Sequence, residues 1–202
     1  MNKIRQLGNV LIIFALGVLF LTFWPVLKEE IDYQIGRISQ VTYTLDPQSG
    51  FKEKVLTPPN TDFSIVIPKI AAVAPIIANV DSQNPQEFLS VLKKGVAHAK
   101  GTAYPGEEGN VYLFAHSTDA FFNVSKYNAV FYLIGKLGEG DEVDIYYKGG
   151  RYIYKVYETK VVDSNATEYL GKITEGGTLT LQTCYPPGTT FRRLIVLASL
   201  LK

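Results

Sequence analysis

The chain changes rhythm near residue 60. Val10 to Leu27 is a run of eighteen residues without a charge, dominated by Leu, Ile, Val and Phe. At ~1.5 Å per residue a helix of that length spans roughly 27 Å, close to the ~30 Å hydrocarbon core of a bilayer. Beyond residue 60, apolar positions recur in twos. In Thr178–Cys184, Leu179, Leu181 and Thr183 fall on one face, and Thr180, Gln182 and Cys184 on the other. In Gly109–His116, Val111, Leu113 and Ala115 oppose Tyr112, Phe114 and His116. Period two predicts half-buried strands. The same reading predicts strands at 63–67, 121–127, 141–147, 152–157, 160–163 and 191–198, with two or three short strands over 63–80 broken by Pro68 and Pro75. Lys148-Gly-Gly-Arg151 reads as a hairpin. Helical signals are few: a short segment over 28–43, one helix over 85–94 ended by Gly95, and a turn at 166–170. Residues 44–61 and 96–106 read as loop.

Composition supports this picture. Thirteen tyrosines lean toward β structure. Lys plus Arg (20) nearly balance Asp plus Glu (19), so charge gives no footprint for nucleic-acid binding. A chain of 202 residues holds one moderate domain. The expected organisation is a cytoplasmic tail (1–9), a transmembrane signal anchor (10–27), a juxtamembrane helix and linker (28–61) and an extracellular domain (62–202). Lys3 and Arg5 precede the apolar run and Glu29, Glu30 and Asp32 follow it, so the positive-inside rule keeps the amino terminus in the cytoplasm. Thr22-Phe-Trp-Pro-Val-Leu27 offers no small-residue cleavage site, which argues against a removable signal peptide.

Cys184 is the one cysteine, and in an exported domain an unpaired thiol is a candidate nucleophile. The strand that carries it ends at Pro186-Pro-Gly188, and Arg192 and Arg193 enter the next strand, supplying the positive charge that favours a thiolate. Two histidines are available. His116 closes its strand as Cys184 closes its own, whereas His98 lies between two alanines. A Cys–His pair performs acyl transfer when the thiolate attacks a carbonyl and the imidazolium protonates the leaving amine, with an arginine to stabilise the oxyanion. No phosphate-binding loop or metal-ligand spacing occurs. Glu107, Glu108, Asp163 and Glu168 are scattered acids that read as solvated surface and leave calcium undecided.

Ile67-Pro-Lys-Ile70, Gly95-Val-Ala-His-Ala99, Gly101-Thr-Ala-Tyr-Pro-Gly106, Gly109-Asn110, the strand ending in His116, Phe121-Phe122, Gly140-Asp141 and above all Thr180-Leu-Gln-Thr-Cys184 resemble the sortases, membrane-anchored cysteine transpeptidases of Gram-positive surfaces. The resemblance covers roughly residues 63–198. It implies a mainly β fold, a single closed barrel with one or two short helices behind an N-terminal transmembrane helix. It also implies cleavage of an LPxTG-like sorting signal through a thioacyl intermediate and transfer to an amine of a peptidoglycan precursor or pilin. By the same resemblance Cys184 is the nucleophile, His116 the acid and base, and Thr183 helps to order substrate and oxyanion. The arginine nine positions after the cysteine is Arg193; strand parity alone leaves Arg192 open. Ala115-His116-Ser117 departs from the Gly-His-Arg common in the family. The short connection from cysteine to arginine resembles the class C and D branches. Asp46-Pro47 is followed by Gln48 rather than an aromatic residue, so a class D-like enzyme is expected over a class C-like pilin polymerase. Two rivals are weaker. A cysteine L,D-transpeptidase would carry Gly before the cysteine and Arg two residues after it, where this chain has Thr183 and Pro186. A non-catalytic anchored β-domain would hold Cys184 inert.

Overall fold

The computed structural model describes residues 2–38, 42–44, 53–117, 130–171 and 177–201. The expected strand at 121–127 lies outside them. Helix α1 (Asn2–Ile38) is followed by β1 (Thr42–Thr44), β2 (Glu53–Val55), β3 (Phe63–Ile67), β4 (Ala72–Val80), α2 (Pro85–Leu92), β5 (Val96–Ala99), β6 (Gly109–Phe114), β7 (Glu142–Tyr147), β8 (Gly150–Asp163), β9 (Gly177–Tyr185) and β10 (Arg192–Leu200). Strands β3 to β10 close into a barrel in the order β10-β8-β7-β3-β4-β5-β6-β9. Two neighbour pairs, β4–β5 and β6–β9, run parallel and the others antiparallel. A parallel pair needs a crossover. Helix α2 supplies the first, and the long excursion through β7 and β8 supplies the second.

One apolar cluster fills the barrel. Ile65, Leu113, Ile145, Leu179 and Leu181 are fully buried at its centre. The β7–β8 hairpin turns through Lys148 (φ 49°) and Gly149 (φ 81°), two consecutive left-handed residues that match the twist of the strands they join. Helix α2 starts where the sequence marks it: Pro85 follows Asn84, whose side chain accepts a hydrogen bond from the Glu87 N–H.

Several expectations need correction. Residues 96–99 are not loop but strand β5, which carries a buried His98. The predicted strands at 152–157 and 160–163 are one fourteen-residue strand, β8, whose register against β10 shifts at Leu197/Ala198. Pro75 does not break a strand. It pairs with Ser64 inside β4, one residue before β5 begins pairing at Ile76, so its missing N–H removes no bond to β5. Part of the supposed linker forms a small parallel sheet, Thr42–Thr44 with Glu53–Val55.

The amino-terminal segments form one helix of 37 residues, in which the expected helix after residue 27 continues the apolar run as far as Ile38. Its apolar side chains from Leu7 to Leu21, including Ile13, Phe14 and Leu16, are solvent-exposed along the helix. The side chains of Thr22, Phe23, Pro25 and Val26 lie outside the description, and among the described residues no helix is long and apolar enough to cross a membrane. The carboxy-terminal part of α1 rests against the barrel: Glu30 pairs with Lys136 at 3.0 Å, the Lys136 ammonium lies 5.5 Å from the centroid of the Tyr33 ring, and Tyr33 packs against the core.

Candidate active site

Three neighbouring strands bring the sequence-singled residues into a row. β9 lies between β6 and β10. The β6–β9 register runs in step to Phe114 opposite Gln182, and two bonds carry the contact one residue further: the Ala115 N–H donates to the Gln182 carbonyl at 3.1 Å, and the Thr183 hydroxyl donates to the Ala115 carbonyl at 2.9 Å. His116 therefore leaves the sheet at the level of Cys184. On the other side, β10 pairs Arg193 with Cys184 and Arg192 with Tyr185. Directly opposed residues of an antiparallel pair share a face, so Arg193 shares the Cys184 face and Arg192 takes the other. The Arg193 guanidinium is held by the carbonyls of Thr190 (3.0 Å) and Arg192 (3.1 Å), which fixes it at the mouth of the β9–β10 connection.

His116, Cys184 and Arg193 line one cavity of about 620 Å³. That is the size of a groove for several residues of peptide or a drug-sized ligand. Helix α2 forms one wall through Phe88, Leu89 and Leu92, and residues 164–170 form another. The β9–β10 connection contributes Gly188, Thr189 and Thr190. Cys184 is half-buried and forms no disulfide. A second cavity of about 300 Å³ shares Thr183 and Cys184 with the first. Thr183 is buried and its hydroxyl is committed to Ala115, so this side chain ties β9 to β6 just before the histidine.

Three features of the site have no signal in the sequence. The Tyr112 hydroxyl donates to Gln182 Oε1 in the wall of the larger cavity. Burial pushes the phenol far above its ordinary range, against the opposing pull of the Arg193 charge, so it stays a donor. The pair leaves the Gln182 amide NH₂ as the donor it offers to a ligand. Asn110 is the second feature. Its Nδ2 donates to the Tyr169 carbonyl at 2.8 Å, and its Oδ1 accepts from Thr178 (3.2 Å) and Thr180 (3.0 Å). Asn110 thus fastens the 164–170 wall to the β6–β9 seam. The third is Glu30 of α1, which lines the smaller cavity with Cys184 although 154 positions separate them in sequence order.

His98 takes no part in the row. It is buried in the β5 strand, its Nδ1 accepts from the Asn79 N–H at 3.3 Å, and its Nε2–H therefore donates to the Ala103 carbonyl at 3.0 Å. Burial holds its pKa below the ordinary histidine value. Its ring lies tilted against that of Tyr104, with centroids 4.6 Å apart. Among the described residues no group of three His, Cys, Asp or Glu side chains is placed to hold a metal ion. Glu107 accepts the Tyr104 N–H at 2.9 Å instead.

A closed barrel with a thiol, an imidazole and a guanidinium aligned on adjacent strand ends suits acyl transfer through cysteine. The Sortase domain model matches residues 65–201, and the chain belongs to the sortase family, cell-surface cysteine transpeptidases. It is 33% identical over 120 residues to sortase D of Bacillus subtilis (strain 168), an alignment covering 59% of this chain and 52% of that protein; the chain thus spans about half the length of the curated relative it matches. Among solved structures it resembles a Clostridium perfringens sortase D5 transpeptidase (28% identity, TM-score 0.57, 73% of this chain and 82% of that one). It resembles sortase C1 of GBS pilus island 1 to the same degree (27%, TM-score 0.58, 69% and 64%).

Proposed function

We propose that this chain is a membrane-anchored, class D-like sortase that cleaves an LPxTG-like sorting signal and joins the released protein to a cell-wall amine. The observation that supports the chemistry is the register row His116, Cys184, Arg193 across β6, β9 and β10. In this reading the Cys184 thiolate attacks the carbonyl carbon of the scissile Thr–Gly bond. Arg193 stabilises the oxyanion of the tetrahedral intermediate. Imidazolium at His116 protonates the leaving amine, and the thioacyl enzyme remains. Neutral His116 then accepts a proton from the incoming amine as it attacks, and the Cys184 thiolate leaves. Water in place of the amine gives hydrolysis. Thr183 serves by anchoring β9 to Ala115, which holds His116 and Cys184 at one level. Similarity to a sortase D supports the class D assignment, and the equal likeness to a class C structure keeps a pilin-polymerising activity as the second reading.

The anchor belongs to the same proposal. It rests on the uncharged run Val10–Leu27, on Lys3 and Arg5 before it, and on the exposed apolar side chains of α1. Incubation of the detergent-solubilised chain with a fluorogenic LPxTG-type peptide and an amine should release the carboxy-terminal fragment and accumulate an acyl adduct on Cys184. Cys184→Ala should abolish both. Undiminished cleavage by Cys184→Ala, or no cleavage by the wild type across a library of related signals, overturns the reading.

A further inference from the structure

Cys184 lines two cavities, one on each side of the thiol's strand end. The larger, lined by His116 and Arg193, accommodates the donor peptide. The smaller, about 300 Å³, is lined by Glu30, Ser117, Lys136, Tyr132, Cys184 and Tyr185 among others. Two features of it point to a ligand. First, Ser117 is 1% exposed, and its hydroxyl has no hydrogen-bond partner among the described residues. A buried unpaired hydroxyl costs roughly 1–3 kcal/mol, which a bound donor recovers. Second, a carboxylate reaches the same cavity from a distant element. Glu30 receives hydrogen bonds from Gln34 (2.9 Å) and Lys136 (3.0 Å), both on Oε1, so Oε2 accepts none among the described residues. Those two bonds hold its carboxyl below the ordinary glutamate range, and it stays charged at neutral pH. The anion, the unpaired hydroxyl acceptor and the aromatic face of Tyr185, which is partly exposed, together suit a primary ammonium.

We propose that this second cavity is the acceptor site, and that Glu30 of α1 recognises the ammonium of an amine-bearing peptide end or side chain and delivers it to the acyl carbon on Cys184. The inference rests on the thioacyl reading above. The ammonium enters beside Glu30 and Ser117 and loses one proton to solvent. The free amine attacks the thioester carbonyl, a C–N bond forms, the C–S bond breaks, and His116 takes the second proton. Amide, Cys184 thiolate and His116 imidazolium result, which is the state that begins the next cycle. The helix that leads into the barrel is thereby a wall of the active site as well as a tether.

The test uses the full chain in nanodiscs, a saturating donor peptide, and two nucleophiles of different charge: lysine amide, cationic at pH 7.5, and hydroxylamine, neutral there. Glu30→Gln should raise KM for lysine amide about three- to tenfold. KM for hydroxylamine should change less than about twofold, since Glu30 has no charge to recognise on it. Glu30→Asp should recover part of the loss for lysine amide, and Glu30→Lys should deepen it. Equal changes for the two nucleophiles, or no change for either, overturn the proposal. Failure of the underlying reading has a separate signature, the absence of any acyl adduct on Cys184 of the wild type by mass spectrometry.

Discussion

Arg192 and Arg193 differ by one position and by a whole face of the sheet. Arg193 opposes Cys184 and its guanidinium is fixed by two carbonyls, whereas Arg192 opposes Tyr185. If the oxyanion is stabilised by a guanidinium on the thiol's face, Arg193→Ala should lower kcat by about 10²–10³, and Arg193→Lys should recover little, because a point charge on a flexible stem does not reproduce a fixed planar fork. Arg192→Ala should fall within about twofold of wild type by the same reasoning. Steady-state cleavage of one donor peptide by the three variants decides it, and equal losses for both arginines would sink the assignment. His98 gives a second prediction, on stability. Its folded pKa lies below the reference value of 6.5 because burial disfavours the imidazolium. The unfolded chain therefore binds the proton first on acidification. The stability contributed by neutral His98 is complete above about pH 6.5 and declines as pH falls from there through its folded pKa. Thermal melts from pH 7.5 to 4.5 should show that decline, and His98→Gln, lower in Tm at pH 7.5, should show a flatter slope over the window.

The β6–β9 seam is where strands carry the site, and Asn110 is its fastener. Asn110→Ala removes the bond to the Tyr169 carbonyl and the acceptor of the Thr180 hydroxyl, whereas the Thr178 hydroxyl keeps the Gly109 carbonyl at 3.3 Å. The expected cost is about 1–3 kcal/mol, which for a chain of this size lowers Tm by roughly 2–12 °C. The 164–170 wall should loosen with it. Donor KM should rise more than kcat falls, a split that simple destabilisation of the barrel does not produce. The alternation in these two strands was readable in the sequence, because each has apolar residues on one face and polar or aromatic ones on the other. Other elements gave less. β5 has four residues, all buried, so period two had nothing to alternate against. β8 appeared as two strands because Glu158 and Thr159 interrupt its apolar face, yet hydrogen bonding to β10 runs through them. β1 and β2 pair over three residues each, too short for composition to show. At the site, Cys184 and His116 could be singled out because so few thiols and imidazoles exist in the chain. Glu30 could not, since its place in the wall of the smaller cavity follows from how α1 meets the barrel near Lys136.

The geometry of the whole molecule turns on α1 being continuous. A helix that runs to Ile38 places about eleven residues beyond Leu27, a rise of roughly 16 Å. The contacts of Glu30 and Tyr33 with Lys136 fix that stretch against the barrel. If Val10–Leu27 spans a bilayer, the cavities at Cys184 sit at a set height above the surface instead of swinging on a flexible tether. The apolar side chains of this run have no cover in the described structure, and lipid is the environment that relieves their exposure without burial in the barrel. The full chain expressed in a bacterial host should therefore sediment with membranes, resist alkaline carbonate and be released by detergent. Two charges at the centre of the run, Val18→Lys with Leu19→Lys, each cost about 2.5–3.5 kcal/mol of insertion free energy and should move the chain to the soluble fraction with its Cys184 acylation by donor peptide intact. A wild-type chain extracted by carbonate or salt, or a double variant that still needs detergent, overturns the anchor.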